Sequence, residues 1–221
     1  MPKPVTVFAA LLTAAVVSVG AAQSQPGNPA AGWSQSALDD ATSYVASQRS
    51  TGFVVIDRGR VIVERHWPLP DSALAFRNNF VHGTAGDGSV LEDVASQQKS
   101  FIAILAGVAI DRRLLEISQP VSAYAKPGWS KATAAQESRI TVRHLLEMNS
   151  GLKEDLTVEA EPDTKFFYNT PAYAILKAVL EGASGRPLDD LTRDWLTAPA
   201  GMKDTSWRKR PAVFAGSGNP T

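Results

Sequence analysis

Ser96 and Lys99 stand three residues apart at the mouth of an apolar, helix-forming run, Ser96-Gln97-Gln98-Lys99-Ser100-Phe101-Ile102-Ala103-Ile104-Leu105. On a helix, positions i and i+3 share a face, about 5–6 Å apart between Cβ atoms. A desolvated lysine amine so placed can take the proton of the serine hydroxyl. The first turn of the same helix adds N–H groups and a positive dipole end, both favourable to a developing oxyanion. The chemistry on offer is nucleophilic attack by a serine that carries its own base.

Spacing alone does not select this serine, because Ser-x-x-Lys occurs three times, at Ser96/Lys99, Ser150/Lys153 and Ser206/Lys209. Ser150 precedes Gly151 at the end of an apolar segment, where a helix stop is expected. Ser206 sits in the charged, proline-flanked Ser206-Trp207-Arg208-Lys209-Arg210-Pro211. Only Ser96 opens a long apolar helix. The plain alternative for the pair is a helix-leading serine with a solvated lysine one turn on, since short motifs match by chance.

The chain must supply elements to hold this pair. Its 221 residues, 44% hydrophobic and 20% charged, are ordinary globular composition, enough for one large domain or two small ones. Lys plus Arg equals Asp plus Glu at 22 each, so no net field attracts nucleic acid or an anionic membrane. Residues 1–22 read as a secretory signal: Lys3 gives the charge, residues 5–19 the apolar stretch, and Gly20-Ala21-Ala22 the small exit before Gln23. The run is short for a membrane span, which needs about 20 apolar residues, so an anchor is the minor alternative. Export to the periplasm or outside the cell is expected, with no membrane partner after cleavage.

Cysteine is absent, which removes disulfides, thiolate catalysis and cysteine metal sites. His66, His82 and His144 are scattered without helical ligand spacing, so no metal site is expected. Residues 23–33 form a Gln-, Pro-, Gly- and Ala-rich leader, and residues 34–221 the folded portion.

Periodicity supplies the elements. A helix capped by Ser36 runs to about Gln48 on the face of Leu38, Ala41 and Val45. The β-branched runs Phe53-Val54-Val55-Ile56 and Val61-Ile62-Val63 flank Asp57-Arg58-Gly59-Arg60, which predicts a hairpin of two buried strands. Residues 69–90 show no sustained period and are expected to be irregular. The Ser96 helix is apolar nearly all round, as at the centre of a domain. Three more helices follow, at residues 141–148, at 171–183 with Thr170 as cap and Gly185 near the exit, and at 187–196.

Taken in order, certain segments resemble a known family. They are Ser96-Gln97-Gln98-Lys99-Ser100-Phe101, Gly107-Val108-Ala109-Ile110-Asp111-Arg112-Arg113-Leu114-Leu115, Pro120-Val121 and Ile140-Thr141-Val142-Arg143-His144-Leu145-Leu146-Glu147-Met148-Asn149-Ser150-Gly151-Leu152. Together they resemble the serine β-lactamase and penicillin-binding-protein-like hydrolases, in the class C-type branch with esterases, D-amino-acid peptidases and 6-aminohexanoate-oligomer hydrolases. The resemblance covers about residues 53–211.

It implies an α+β, β-lactamase/transpeptidase-like fold, with an antiparallel sheet flanked by helices plus a helical region. It implies Ser96 as nucleophile, Lys99 as base, and a small ester, amide or peptide as substrate, with no metal or organic cofactor. In that family a tyrosine of a Tyr-x-Asn element faces the serine and lysine, and Tyr168-Asn169-Thr170 matches that place, making Tyr168 the proton relay and Asn169 and Thr170 the substrate-side residues. A lysine ammonium beside the phenol is expected to lower the Tyr168 pKa.

Two departures follow. Thr170 stands where the element commonly has Asn, and it also suits a helix cap. The Lys-Thr-Gly element of a late strand occurs nowhere in the chain. A lone hairpin is marginal in water, and one side of the Ser96 helix is left without a covering layer. The expectation is an N-terminal portion of a longer hydrolase with an incomplete sheet; the alternative is a catalytically silent fragment, or a binding or sensor domain on the same fold.

Overall fold

A computed structural model describes residues 32–208, so the signal-like segment, most of the leader and Lys209 lie outside the described residues. The first helix, α1 (Gln35–Ser47), begins one turn fraction earlier than the sequence suggests: Ser34, not Ser36, caps it, its Oγ accepting from the Ala37 N–H at 3.4 Å. Strands β1 (Gly52–Asp57) and β2 (Arg60–His66) then pair antiparallel, Asp57 opposite Arg60. Arg58 and Gly59 both take positive φ, 49° and 77°, the two-residue turn whose twist matches the strands it joins.

The hairpin is present but not buried as expected. Val54 is 47% and Ile56 63% exposed, and only Val63 of β2 is buried. β-branched runs report strand propensity; burial needs a second layer, which two strands do not bring with them. Residues 69–90 hold more order than periodicity revealed, namely α2 (Leu74–Phe80), β3 (Val81–Thr84) and the start of β4 (Val90–Glu92). β3 and β4 form a second antiparallel pair, Val81 opposite Glu92, around the turn at Gly88. Elements of three to seven residues are too short for a period to register.

β4 hands the chain through one 3₁₀ turn (Ala95–Gln97) into α3 (Gln98–Asp111), and the short α4 (Ala134–Glu137) follows. α3 packs against α6 (Thr170–Ser184) and against the π-helical turn Arg193–Thr197 that continues α7 (Leu188–Thr192), while α6 also covers α5 (Val142–Leu146). Ile102, Leu105 and Ala109 of α3, Leu145 of α5, Leu176 and Val179 of α6 and Leu191 of α7 close into one core. The opposite stripe of α3 is open, with Ile104 50% exposed. Among the described residues, this all-apolar helix therefore has one face buried and one exposed.

α5 is shorter than the sequence suggests because the chain leaves helical φ at Met148 (56°) and Gly151 (75°). Its start is fixed by a reciprocal cap in which Thr141 Oγ1 accepts from the His144 N–H and the Thr141 N–H donates to His144 Nδ1. His144 is thereby a structural residue. The start of α6 is also reassigned: Asn169, not Thr170, is its cap, with Pro171 in the first turn and Gly185 (φ 68°) closing the far end.

Candidate active site

Ser96 lies in the 3₁₀ turn, and Lys99 follows one turn later at the start of α3. Lys99 Nζ donates to Ser96 Oγ at 3.2 Å. From 72 residues away, the Tyr168 hydroxyl donates to the same oxygen at 2.8 Å. Lys99 Nζ also stands 4.9 Å from the centre of the Tyr168 ring, so amine, phenol and hydroxyl form one cluster. Tyr168 is 52% exposed, Ser96 is exposed and Lys99 half-buried.

Tyr168 has no helix or strand to hold it; its neighbours do that. The Phe167 N–H donates to the Met148 carbonyl at 2.9 Å. Asn169 is 2% exposed, and its Nδ2 donates to the carbonyls of Leu152 and Lys153, each at 2.9 Å, while Oδ1 accepts the Ala172 N–H at 3.0 Å. The amide's polar atoms are all engaged in fixing the loop next to Tyr168 to the start of α6. Replacing Asn169 with Ala removes the cap and the donor to the buried Leu152 carbonyl and to the Lys153 carbonyl, and is expected to cost about 2 kcal/mol. Denaturant unfolding checks this as a lowered midpoint at unchanged slope.

A second phenol, missed by the sequence reading, ties the two halves together. Tyr173 is buried on α6, and its hydroxyl donates to the Lys99 carbonyl at 3.0 Å. Burial, and then the nearby Tyr168, push its pKa up, which keeps it the neutral donor this bond needs. Tyr168 moves the other way: its pKa is lowered, first by the hydrogen bond with Ser96 and then by Lys99. A phenol poised in this direction exchanges protons more readily near neutrality than a free tyrosine does.

The Ser96 N–H lies in the first turn, where a helix offers no acceptor of its own. Beside the cluster opens a cleft of about 750 Å³, bordered by Lys99, Thr170, Tyr173, Phe101, Leu91 and Trp207. Thr170 thus faces this cleft. Ser96 and Tyr168 stand at its edge and are not part of its wall. The cleft's outer rim is held by Trp207, whose Nε1–H donates to Thr192 Oγ1 at 2.7 Å beneath the Lys177 ammonium. Of the other Ser-x-x-Lys pairs, Ser150 is buried at the α5 exit with its Oγ accepting from the Leu152 N–H.

The family model for Beta-lactamase matches residues 38–218. The chain belongs to the beta-lactamase family. Among curated proteins it is similar to the D-alanyl-D-alanine-carboxypeptidase/endopeptidase AmpH of Escherichia coli (strain K12), 24% identical over 143 residues, 53% of this chain and 37% of that protein. Among solved structures, the Beta-lactamase/D-alanine Carboxypeptidase from Yersinia pestis superposes with a TM-score of 0.53 at 23% identity, covering 80% of this chain and 57% of its own. EstCE1, described as a hydrolase with promiscuous acyltransferase activity, does so with a TM-score of 0.53 at 22% identity, covering 76% and 52%. At these identities the structural likeness establishes the beta-lactamase/transpeptidase-like fold. This beta-lactamase-family chain spans about half the length of those structures and less of the curated relative.

Proposed function

We propose that this chain carries the nucleophilic centre of a serine hydrolase that cleaves an ester or amide, β-lactams and D-peptides included, through an acyl-serine intermediate. The observation that carries the reading is the convergence of Lys99 Nζ and the Tyr168 hydroxyl on one Ser96 oxygen, at 3.2 and 2.8 Å. In the reacting state Lys99, as the neutral amine, accepts the Ser96 proton while Oγ forms a bond to the substrate carbonyl carbon. The Ser96 N–H stabilises the resulting oxyanion. Tyr168 passes its proton to the leaving group as the carbon–heteroatom bond breaks, and is restored by the Lys99 ammonium. Water then repeats the sequence on the acyl-serine, its proton going to the same base.

The reading is supported by the acyl chemistry that the relatives' names describe, carboxypeptidase, endopeptidase and acyltransferase. Each of those reactions passes a carbonyl carbon between nucleophiles, so ester and amide substrates share one mechanism here. The signal-like residues 1–22 favour a periplasmic or secreted protein; among the described residues no helix is long and apolar enough to cross a membrane.

A fluorophosphonate tests the centre directly. Incubation with the full chain is expected to leave one phosphonyl adduct, found by peptide mass spectrometry on the fragment containing Ser96. A folded sample that takes no label, or takes it only elsewhere, overturns the proposal in favour of a silent or binding domain.

A further inference from the structure

We propose that Asp93 is a positioning residue for Ser96, acting through the backbone of Ala95. The proposal extends the reading of Ser96 as nucleophile and rests on it for its kinetic test. Two residues, Asp93 and Val94, join the end of β4 to the 3₁₀ turn, and the turn begins with Ala95 at φ 48°. A left-handed alanine costs about 1–2 kcal/mol, and nothing in its own side chain offsets that. A strained residue persists where its surroundings hold it.

What holds it is the carboxylate two residues back. Asp93 Oδ1 accepts the Ala95 N–H at 2.6 Å, a charge-assisted bond. Asp93 is itself anchored, its N–H donating to the Phe80 carbonyl at 2.7 Å at the junction of α2 and β3. The turn is closed on the other side by the Gln97 N–H to the Val94 carbonyl at 3.0 Å. A rigid path therefore runs from the β3–β4 pair through one carboxylate to the residue before Ser96.

Two consequences follow. The Asp93 carboxylate consumes the Ala95 N–H, so the Ser96 N–H is the next amide in the turn and the one left to face a developing oxyanion. The left-handed step also sets the direction of the Ser96 Cα–Cβ bond, and with it the meeting of Oγ with Lys99 and Tyr168. Held this way, Asp93 acts by geometry, through the hydrogen bond that its oxygen accepts and not through its charge.

The test compares Asp93→Ala, Asp93→Asn and the double variant Asp93→Ala/Ala95→Gly, by the rate of fluorophosphonate labelling at Ser96 in the full chain. Loss of the tether is expected to slow Asp93→Ala by on the order of 10²-fold, the effect of a displacement near 1 Å at a reacting atom. Asp93→Asn keeps an acceptor oxygen and is expected to keep most of the rate. Glycine adopts positive φ without strain, so Ala95→Gly added to Asp93→Ala is expected to restore at least about tenfold. Asp93→Ala labelling at the parental rate, or no recovery with glycine, overturns the proposal. Amide hydrogen exchange at Ala95 is an independent reading: it accelerates in Asp93→Ala if the tether exists, and unchanged exchange overturns the proposal. A parent protein that does not label at all would sink the Ser96 reading alone, and the exchange result would still decide whether Asp93 holds the turn.

Discussion

Lys99→Ala is expected to slow acylation of Ser96 by on the order of 10³-fold, the usual worth of a positioned general base. An alcohol at neutral pH keeps its proton, and the groups bonded to the Ser96 oxygen are Lys99 and Tyr168. Lys99→Arg decides how the lysine acts. Arginine keeps the positive charge but does not give up its proton in proteins, so it cannot serve as a base and is expected to be as slow as alanine. Parental labelling by Lys99→Arg would show that a fixed charge is enough and would remove the base assignment. Tyr168→Phe removes the second donor while keeping the ring. Because both groups serve one oxygen, the double variant is expected to be about as slow as the slower single one, not slower by the product. A spectroscopic readout accompanies the rates. The Tyr168 phenol is held low by its bond to Ser96 and then by Lys99, and a cation favours the phenolate. Removing the lysine therefore moves the phenolate absorbance to higher pH, and a titration that does not move would separate Lys99 from Tyr168.

What the sequence makes legible in this fold is what local chemistry decides. Gly59 in a four-residue gap marks the hairpin turn and Gly185 the end of α6, because both take positive φ, and Pro171 marks the start of α6, where a helix needs no N–H. Ser96 and Lys99 are legible as a pair because three residues on a helix is itself a distance. Tyr168 is not legible that way. It lies on an irregular segment, and its approach to Ser96 is set by anchors at Met148, Leu152 and Lys153 that no period encodes, so only an ordered resemblance pointed to it. Asn169 and Thr170 are both good caps; the choice between them was made by two carbonyls that only an amide with two N–H groups answers. Tyr173 gave no signal beyond an aromatic on an apolar face. Asp93 did leave one, an acid placed to accept a backbone N–H two residues on, which is a turn signature rather than a catalytic one. The burial of β1 and β2 was overestimated since composition reports what a strand prefers and not what is stacked on it.

Gly182→Ala is expected to destabilise the protein by about 2 kcal/mol, against the sign that helix propensity gives. In an exposed helix interior, alanine is better than glycine by about 1 kcal/mol. Gly182 lies in α6, but a Cβ built on it overlaps the carbonyl oxygen of Tyr124, a backbone atom that cannot swing aside. Tyr124 is held from several directions. Its N–H donates to the Val121 carbonyl, its hydroxyl accepts the Glu116 N–H at 3.0 Å, and Val121 beside it is fully buried. Either α6 shifts or this segment lifts, and both carry core residues, so overpacking of 1–3 kcal/mol or more outweighs the propensity gain. A displaced α6 also carries Tyr173 away from the Lys99 carbonyl, so labelling at Ser96 is expected to slow along with the loss of stability. Gly107→Ala is the matched comparison. It makes the same change on the exposed side of α3, where nothing stands within 4 Å of the new carbon, and is expected to stabilise by up to about 1 kcal/mol. Denaturant midpoints that move in opposite directions for the two variants would support the close crossing of α6 over Tyr124. A Gly182→Ala protein as stable as Gly107→Ala would mean that α6 does not cross Tyr124 so closely, and the support drawn from Tyr173 for the position of Lys99 would fall with it.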